Sequence, residues 1–449
     1  MLSPFSAAGL LTLGAALLAA PARAQDGAAA PLFADSLTLD GTLRSVLEAN
    51  PALTSLDELT NAATGRLAQT RTGFLPQVTG TATYTYLNPV AQVNFPSGPN
   101  GETLPLKFVP NNNYDVHITA QYLLLDFGRN AATVRLAESQ VTTAQDNVAV
   151  SRRDLAFSAV QVYYNILFMR ASIRVQDQQI ASLQAHRHEM QRRAEAGVST
   201  RFDVTTTDVR ITQAENVKID LQNQLQNQQV QLARLLHKPT QADVPVRGRL
   251  TYQPQPVDLA AELAKAAANR PEMKLARDAE TTADLQARLV ERSNKPNLGI
   301  GAQVGAKNGY QPNIEAIRAN VVGVVQLSVP IYDGNKNKNQ RVEAAANLRA
   351  AQARTQDAQD QIRADVRQAA NNLGSSQLRY DNATQQVAQA TEALAKAKAR
   401  YRYGVGANLD VLDAETQLAQ ARLAKAQATY NYTLGQYQMK RATGEVIWR

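Results

Sequence analysis

Two stretches of the chain place apolar residues at alternating intervals of three and four positions. The first runs from about 128 to 196 and the second from about 335 to 402, and neither contains a proline. This spacing is typical of helices that pack side by side along a narrow apolar seam. At 1.5 Å per residue each helix reaches about 100 Å, so the pattern predicts rods that lie lengthwise against other helices.

A short turn ends each rod, and a second helical pattern then returns along it, at about 201–237 and 408–443. Glycine stops both rods, at Gly197 and Gly404, because it accepts the left-handed backbone that a helix end favours. After the second turn we expect Asn408 to cap the returning helix. The pattern therefore predicts two helical hairpins.

Elsewhere the period of the pattern changes to two, which is typical of strands with one polar and one apolar face. Four such strands are predicted, at about 77–87, 114–125, 297–307 and 319–330. Each has roughly 10 residues, enough to cross a bilayer when tilted. A segment rich in Asn, Pro and Gly at 87–113 is predicted to be a long loop. The strands alone leave a soluble sandwich hairpin open as the alternative.

The sequence repeats its own plan once. Gly404 follows Gly197 by 207 positions, and Asp410 follows Asp203 by the same 207. Each copy reads as helix, strand hairpin, long helix, turn and returning helix. The predicted domains are a first repeat at 25–238, a proline-bearing linker at 239–256 and a second repeat at 257–449.

The start of the chain predicts export. An apolar run from Ala7 to Ala20 is followed by Ala22-Arg23-Ala24, which is the form of a signal peptide cleaved after residue 24. No other stretch is apolar for 18 residues, so we predict no transmembrane helix. An exported chain without cysteine fits the bacterial envelope.

Composition removes several function classes. The absence of cysteine excludes thiolate catalysis and thiolate metal sites, and the 4 histidines are scattered. The net charge of +8 is spread along Ala- and Gln-rich helices, which argues against a nucleic-acid partner. We find no Ser/His/Asp arrangement and no phosphate loop. The sequence therefore predicts neither an enzyme nor a bound cofactor or metal.

The strands impose a condition on assembly. Four strands are too few to close a barrel, and open edges would leave unpaired N–H and C=O groups in lipid. If the hairpins enter a membrane, several copies must pool their strands, and their helices then form a hollow cylinder. Such an object is a conduit. The alternative function is an extended periplasmic coiled-coil scaffold whose hairpins pair with soluble partners.

A resemblance to the TolC family of outer-membrane efflux channels rests on three features. They are the Leu-Leu-Asp-Phe-Gly-Arg junction at 124–129, Gly197 with Asp203, and the segment Tyr-Arg-Tyr-Gly-Val-Gly-Ala-Asn-Leu-Asp-Val-Leu-Asp at 401–413. The resemblance implies an α+β membrane protein in which three copies form a homotrimer. Each copy is expected to contribute 4 strands to a 12-strand β-barrel in the outer membrane and long helices to a periplasmic α-barrel.

The same resemblance implies partners and a task. The channel is expected to dock to a periplasmic adaptor protein and an inner-membrane pump or ABC exporter, and to carry substrates of a tripartite efflux pump or type I secretion system. The lipid-anchored members carry a cysteine after their signal, so this chain resembles the unlipidated branch. Nothing in the sequence selects the transported substrate.

Four residues near the turns acquire expected roles through the resemblance. Asp410 and Asp413 are implied to form carboxylate rings at the periplasmic entrance, where carboxylates bind cations and filter by charge. The plain alternative is that both complement the helix N-terminus. Asp203 and Tyr401 match the partners of a hydrogen bond that latches the entrance closed.

Two further points concern the turns themselves. In the family pattern an arginine joins the latch. Gly406 occupies its position here, and Arg201 and Arg402 are the candidates to replace that arginine. Adaptor-docking tips are implied at two matching dipeptides, for which ordinary helix stops are the plain alternative. These tips are Gly197-Val198 and Gly404-Val405.

Overall fold

The computed structural model describes residues 37–96, 103–241 and 244–448, so the predicted signal peptide lies outside the described residues. Within these ranges the chain forms eight helices, which are α1 (Leu39–Ala49), α2 (Pro51–Arg71), α3 (Arg129–Glu195), α4 (Arg201–Leu235), α5 (Leu259–Asn269), α6 (Pro271–Ser293), α7 (Lys336–Arg402) and α8 (Asn408–Thr443). It also forms six strands, which are β1 (Gln77–Tyr86), β2 (Gln92–Pro96), β3 (Thr103–Lys107), β4 (Asn112–Leu125), β5 (Asn297–Lys307) and β6 (Arg318–Ser328).

The two rods α3 and α7 are unbroken helices of 67 residues each, because no proline interrupts them. The returning helices α4 and α8 pack back along α3 and α7, respectively, and α3 also contacts α8. None of the helices in the described ranges carries an apolar stretch sufficient to cross a bilayer. The helices therefore form elongated hairpins whose apolar residues lie along seams.

The segment between β1 and β4 differs from the predicted loop. It contains the short strands β2 and β3, which pair antiparallel with Val93 opposite Leu106. Each strand has 5 residues and includes a proline, Pro96 or Pro105. Proline is tolerated on strands that pair on one side only, and it makes such strands read as loop in a sequence.

The long strands of both repeats form one antiparallel sheet in the order β1-β4-β5-β6. The registers place Gln121, Gln303 and Gln326 on one face of this sheet. On the opposite face Val304 pairs with Val321, whose side chain is 76% exposed. The sheet thus has a polar face and an exposed apolar face, and β1 and β6 are its two unpaired edges.

A large apolar cluster lies midway along α3, where α1 packs on this helix. Val160 and Ile166 of α3 and Leu232 of α4 are fully buried there. The predicted linker joins this cluster: Val246 is buried and pairs with Leu37 in an isolated parallel bridge. The linker is therefore packed against the helices, and it fixes the first repeat to the second.

Buried charges connect the two repeats near this cluster. Both terminal nitrogens of Arg153 on α3 donate to the carboxylate of Glu272 on α6, and Arg153 is only 3% exposed. Arg270 also donates to Glu272, at 3.1 Å, and to Asp365 of α7, at 2.8 Å. Burial acts to raise the pKa of Glu272, but the two arginines together lower it to about 2.

We expect Glu272→Gln to lower the free energy of unfolding by about 3 kcal/mol, because the buried Arg153 loses its two-bonded carboxylate and keeps only the half-exposed Asp154. The depressed pKa means that this contribution is present above about pH 4.5 and is lost as the pH falls towards 2. Thermal unfolding followed by circular dichroism at pH 7 measures the change. Glu392→Gln is the matched control, since Glu392 pairs with Lys396 on the exposed surface of α7; equal effects of both variants would contradict the network's role.

A pair of carboxylates lies between α3 and α6. Burial first, and then the neighbouring carboxylate of Asp146, raise the pKa of Asp278 to about 6. The folded chain therefore holds a proton that the unfolded chain releases, and stability falls as the pH rises from about 4 to 6. Asp278→Asn should be more stable than the parent protein at pH 8, with the difference vanishing below about pH 4. Asp357→Asn, a change on the exposed surface of α7, should show no such pH-dependent gain.

Candidate functional site at the turn ends of the long helices

The two turns have the same backbone. Gly197 and Gly404 adopt φ values of 73° and 75°, in the left-handed region. The next residue of each turn donates its backbone N–H to a carbonyl of the preceding helix: Val198 to Arg193 at 2.8 Å and Val405 to Arg400 at 3.0 Å. This is the usual way in which glycine ends a helix and satisfies its last carbonyls.

The returning helices also begin alike. Thr200 caps α4, and the Asp203 carboxylate accepts from the backbone N–H of Thr200 at 3.1 Å. In the second repeat Asp410 accepts from the backbone N–H of Ala407 at 3.2 Å. The prediction that Asn408 caps α8 is wrong, because Ala407 occupies the cap and Asn408 is the first helical residue. Asp410 therefore does complement the helix start, as the plain alternative proposed.

Asn408 instead joins three helices from a buried position. Its Nδ2 donates to the backbone oxygen of Asp203 at 3.2 Å and to Thr206 Oγ1 at 3.4 Å, both on α4. The Asp203 oxygen can only accept, which fixes the orientation of the amide. Asn408 Oδ1 then faces His186 Nε2 of α3 at 2.7 Å, so this nitrogen carries the hydrogen and donates. These bonds bring the two turns together at one end of the helices.

The two predicted aperture residues have different surroundings. Asp413 forms an ion pair with Arg210 of α4, with 2.9 Å between Oδ1 and Nη2, and its side chain is 49% exposed. Asp410 is exposed and forms no ion pair with any described residue. The structure thus pairs Asp413 with a cation, whereas the Asp410 carboxylate accepts from its own turn and has no cation partner among the described residues.

The structure does not bring the predicted latch residues into contact with each other. The Tyr401 hydroxyl donates to Met190 Sδ at 2.8 Å, and Arg193 lies over its ring. The Asp203 carboxylate accepts from the hydroxyls of Ser199 and Thr200, at 3.0 and 2.8 Å. Burial acts to raise the pKa of Asp203, but these bonds lower it. A bond between Asp203 and Tyr401 stays a prediction.

The structure also shows the surroundings of the two residues that were predicted to replace the missing arginine. Arg201 and Arg402 are exposed and form no ion pair with a described residue. A side chain at Gly406 would meet the turn itself, because its Cβ would lie 3.0 Å from Arg400 Cβ and 3.2 Å from the Tyr401 nitrogen. The tight turn therefore accounts for the glycine at this position.

A buried carboxylate that the sequence did not single out lies one turn further along α8. Glu415 is 3% exposed and pairs with Lys398 Nζ of α7 at 2.5 Å. It also accepts from the Ser182 hydroxyl of α3. This cluster ties α3, α7 and α8 together behind the turns. Only the assembled helices reveal it, because its members are far apart in the chain.

The tips of the turns are apolar and exposed. Val198 and Val405, both predicted to be adaptor-docking tips, are 73% and 67% exposed. Phe202 and Tyr403, for which no such role was predicted, are 73% and 81% exposed beside them. No group of three or more metal-binding side chains occurs in the part of the chain that the structure describes. The site therefore offers an acidic residue, an ion pair and an apolar rim.

Asn408→Ala should loosen the turn end selectively, because it leaves the buried Nε2 of His186 on α3 without its partner and removes the bonds to α4, at a cost of about 1–3 kcal/mol. We expect backbone amides at the starts of α4 and α8 to exchange with deuterium about tenfold faster, while the cluster around Val160 is unaffected. Asn347→Ala, an exposed change on α7, is the control. Unchanged exchange at both turns in Asn408→Ala would contradict the joining role of Asn408.

The chain resembles known proteins in its family pattern, in its sequence and in its fold. The family model described as outer membrane efflux protein matches residues 42–237 and 263–445. Outer membrane protein TolC of Escherichia coli K12 is 25% identical over 409 residues, covering 88% of this chain and 80% of TolC. Alkaline protease secretion protein AprF of Pseudomonas aeruginosa is 24% identical over 332 residues, covering 72% of this chain and 69% of AprF.

Solved structures share the fold. The outer membrane protein VceC of Vibrio cholerae superposes with a TM-score of 0.76 at 18% identity, covering 92% of this chain and 97% of VceC. The CmeC outer membrane channel of Campylobacter jejuni gives a TM-score of 0.74 at 17% identity, covering 90% and 85%. At these identities the likeness establishes the arrangement of helices and strands.

Proposed function

Because the chain belongs to the outer membrane efflux protein family, we propose that three copies of it assemble into a conduit whose inner entrance is the turn end of the long helices. The predicted family is confirmed, and with it an outer-membrane channel for efflux or secretion with its helices in the periplasm. The family is one of transport proteins. The match decides against the scaffold alternative.

The sheet supports assembly from several copies. Its edges β1 and β6 carry unpaired backbone groups, and its apolar face is exposed. In lipid such edges must be paired, and pairing β6 of one copy with β1 of the next satisfies them. Three copies of the four-stranded sheet then give a closed barrel of twelve strands. The polar face with Gln121, Gln303 and Gln326 becomes its lining.

The contact between the two turns is the observation that supports the proposed location of the entrance. Asn408 holds the start of α8 against the start of α4, so Asp410 and Asp413 lie at the extreme end of the helices. Around a threefold axis each becomes a ring of carboxylates, which concentrate cations and repel anions. Closing the entrance through Asp203 and Tyr401 requires Tyr401 to exchange Met190 for a carboxylate oxygen.

The apolar rim suits a protein partner. Val198, Phe202, Tyr403 and Val405 expose hydrophobic surface at the tips, where a periplasmic adaptor can cover it. We propose that the adaptor links the channel to an inner-membrane pump or ABC exporter. The names of the relatives include both efflux and protease secretion, so the partner selects the cargo.

The channel and its acidic entrance are tested together in planar lipid bilayers. Purified protein should give discrete conductance steps that favour cations and are blocked by a trivalent cation such as hexamminecobalt. Asp410→Asn removes the exposed carboxylate and should weaken this block at least tenfold. Asp57→Asn, the same change on the exposed surface of α2, should leave the block unchanged.

The outcomes separate two parts of the proposal. Absence of conductance steps from properly folded protein would contradict the channel. Conductance with equal block in Asp410→Asn and the parent protein would leave the channel standing and would place the entrance away from Asp410.

A further inference from the structure

We infer that Arg210 neutralises Asp413 and fastens α8 to α4, so that Asp410 supplies the uncompensated carboxylate of the entrance. The inference rests on the proposed channel and concerns the charge and closure of its entrance. The resemblance implies a carboxylate ring at Asp410 and another at Asp413, and it gives Arg210 no role. The structure makes the two carboxylates unequal.

An apolar cluster sets the geometry of the ion pair. Ile180 and Leu183 of α3 and Leu412 of α8 pack with two residues of α4, Ile211 and Ala214. Arg210 directly precedes Ile211, and Asp413 directly follows Leu412. Packing of these neighbours therefore brings the guanidinium and the carboxylate within 2.9 Å without requiring either to be buried. The pair is positioned by the core behind it.

Two other carboxylates at this end, those of Asp208 and Asp203, already have partners. Arg187 of α3 donates to Asp208 of α4 at 2.5 Å, so the acidic neighbour of Arg210 on its own helix has a different partner. The Asp203 carboxylate is used within its turn. Of the ion pairs among the described residues, the one that reaches a predicted aperture carboxylate comes from Arg210.

The pair changes the electrostatics of the entrance. A permeating cation near Asp413 meets a carboxylate and a guanidinium less than 3 Å apart, and their fields largely cancel beyond that distance. Asp410 has no such compensation. In a threefold assembly the charge filter is then one ring of carboxylates and one ring of neutral pairs.

The ion pair of Arg210 with Asp413 also takes the place of the latch arginine that is missing at position 406. A side chain at Gly406 would lie tightly against Arg400 and Tyr401, and α4 contacts α8 at few positions. Arg210 supplies a cation from α4 instead of from the turn. An ion pair of this exposure contributes little to stability, so it can break and re-form when the helices move.

Charge reversal separates this role from a merely structural one. Arg210→Gln exposes Asp413, so the reversal potential in a KCl gradient should shift towards greater cation preference, and hexamminecobalt should block about tenfold more tightly. Asp413→Asn leaves Arg210 unpaired and should shift both quantities in the opposite direction. The swap Arg210→Asp with Asp413→Arg restores a neutral pair and should return both towards the parent values.

Arg187→Gln is the matched control, because it removes the same charge from the pair with Asp208 and leaves Asp413 engaged. It should change neither selectivity nor block. A response of Arg210→Gln equal to that of Arg187→Gln, or no rescue by the swap, would overturn the inference while the parent channel still conducts. A parent protein without conductance would instead count against the proposed channel.

Discussion

The open edges of the sheet restrict how copies of this chain can pack in a membrane. Backbone N–H and C=O groups of β1 and β6 have no partners within one chain, and lipid offers none. In the proposed assembly, pairing edges between copies satisfies these groups and fixes a symmetry axis. The long helices leave the sheet in one direction, so the axis of that proposed assembly passes between their far ends. In the proposal, the position of a strand edge therefore determines where Asp410 faces.

Much of this architecture follows from local rules. α3 and α7 were predictable because no proline interrupts them and the alternating spacing of apolar residues persists over their length. The turns were predictable because glycine at 197 and 404 meets a backbone requirement. The strands β2 and β3 were not, since five-residue strands that each contain a proline have too little alternation to register as strands.

The chemistry of the site was predictable only where one segment carries it. Asp410 and Asp413 lie together in one motif, whereas Arg210 with Asp413 and His186 with Asn408 are pairs separated by about two hundred residues. Whether these residues meet depends on the axial offset at which α4 and α8 pack along α3. A seam of alanines and leucines permits several such offsets, so no local pattern selects the observed one. The polar pairs form at the observed offset, and they distinguish it from the other offsets that the apolar seam permits.

The distribution of apolar and polar contacts indicates which end can move. Around Val160 the helices and the linker share a continuous apolar cluster, and separating them would expose hydrophobic surface to water at about 25 cal/mol for each Å². At the turns α4 and α8 are joined by the hydrogen bonds of Asn408, one half-exposed ion pair and a small apolar cluster around Leu412. Water can replace such bonds at a net cost of about 1 kcal/mol each. The proposed entrance, which must open while the rest of the assembly stays together, therefore lies where polar bonds make up more of the contact between helices.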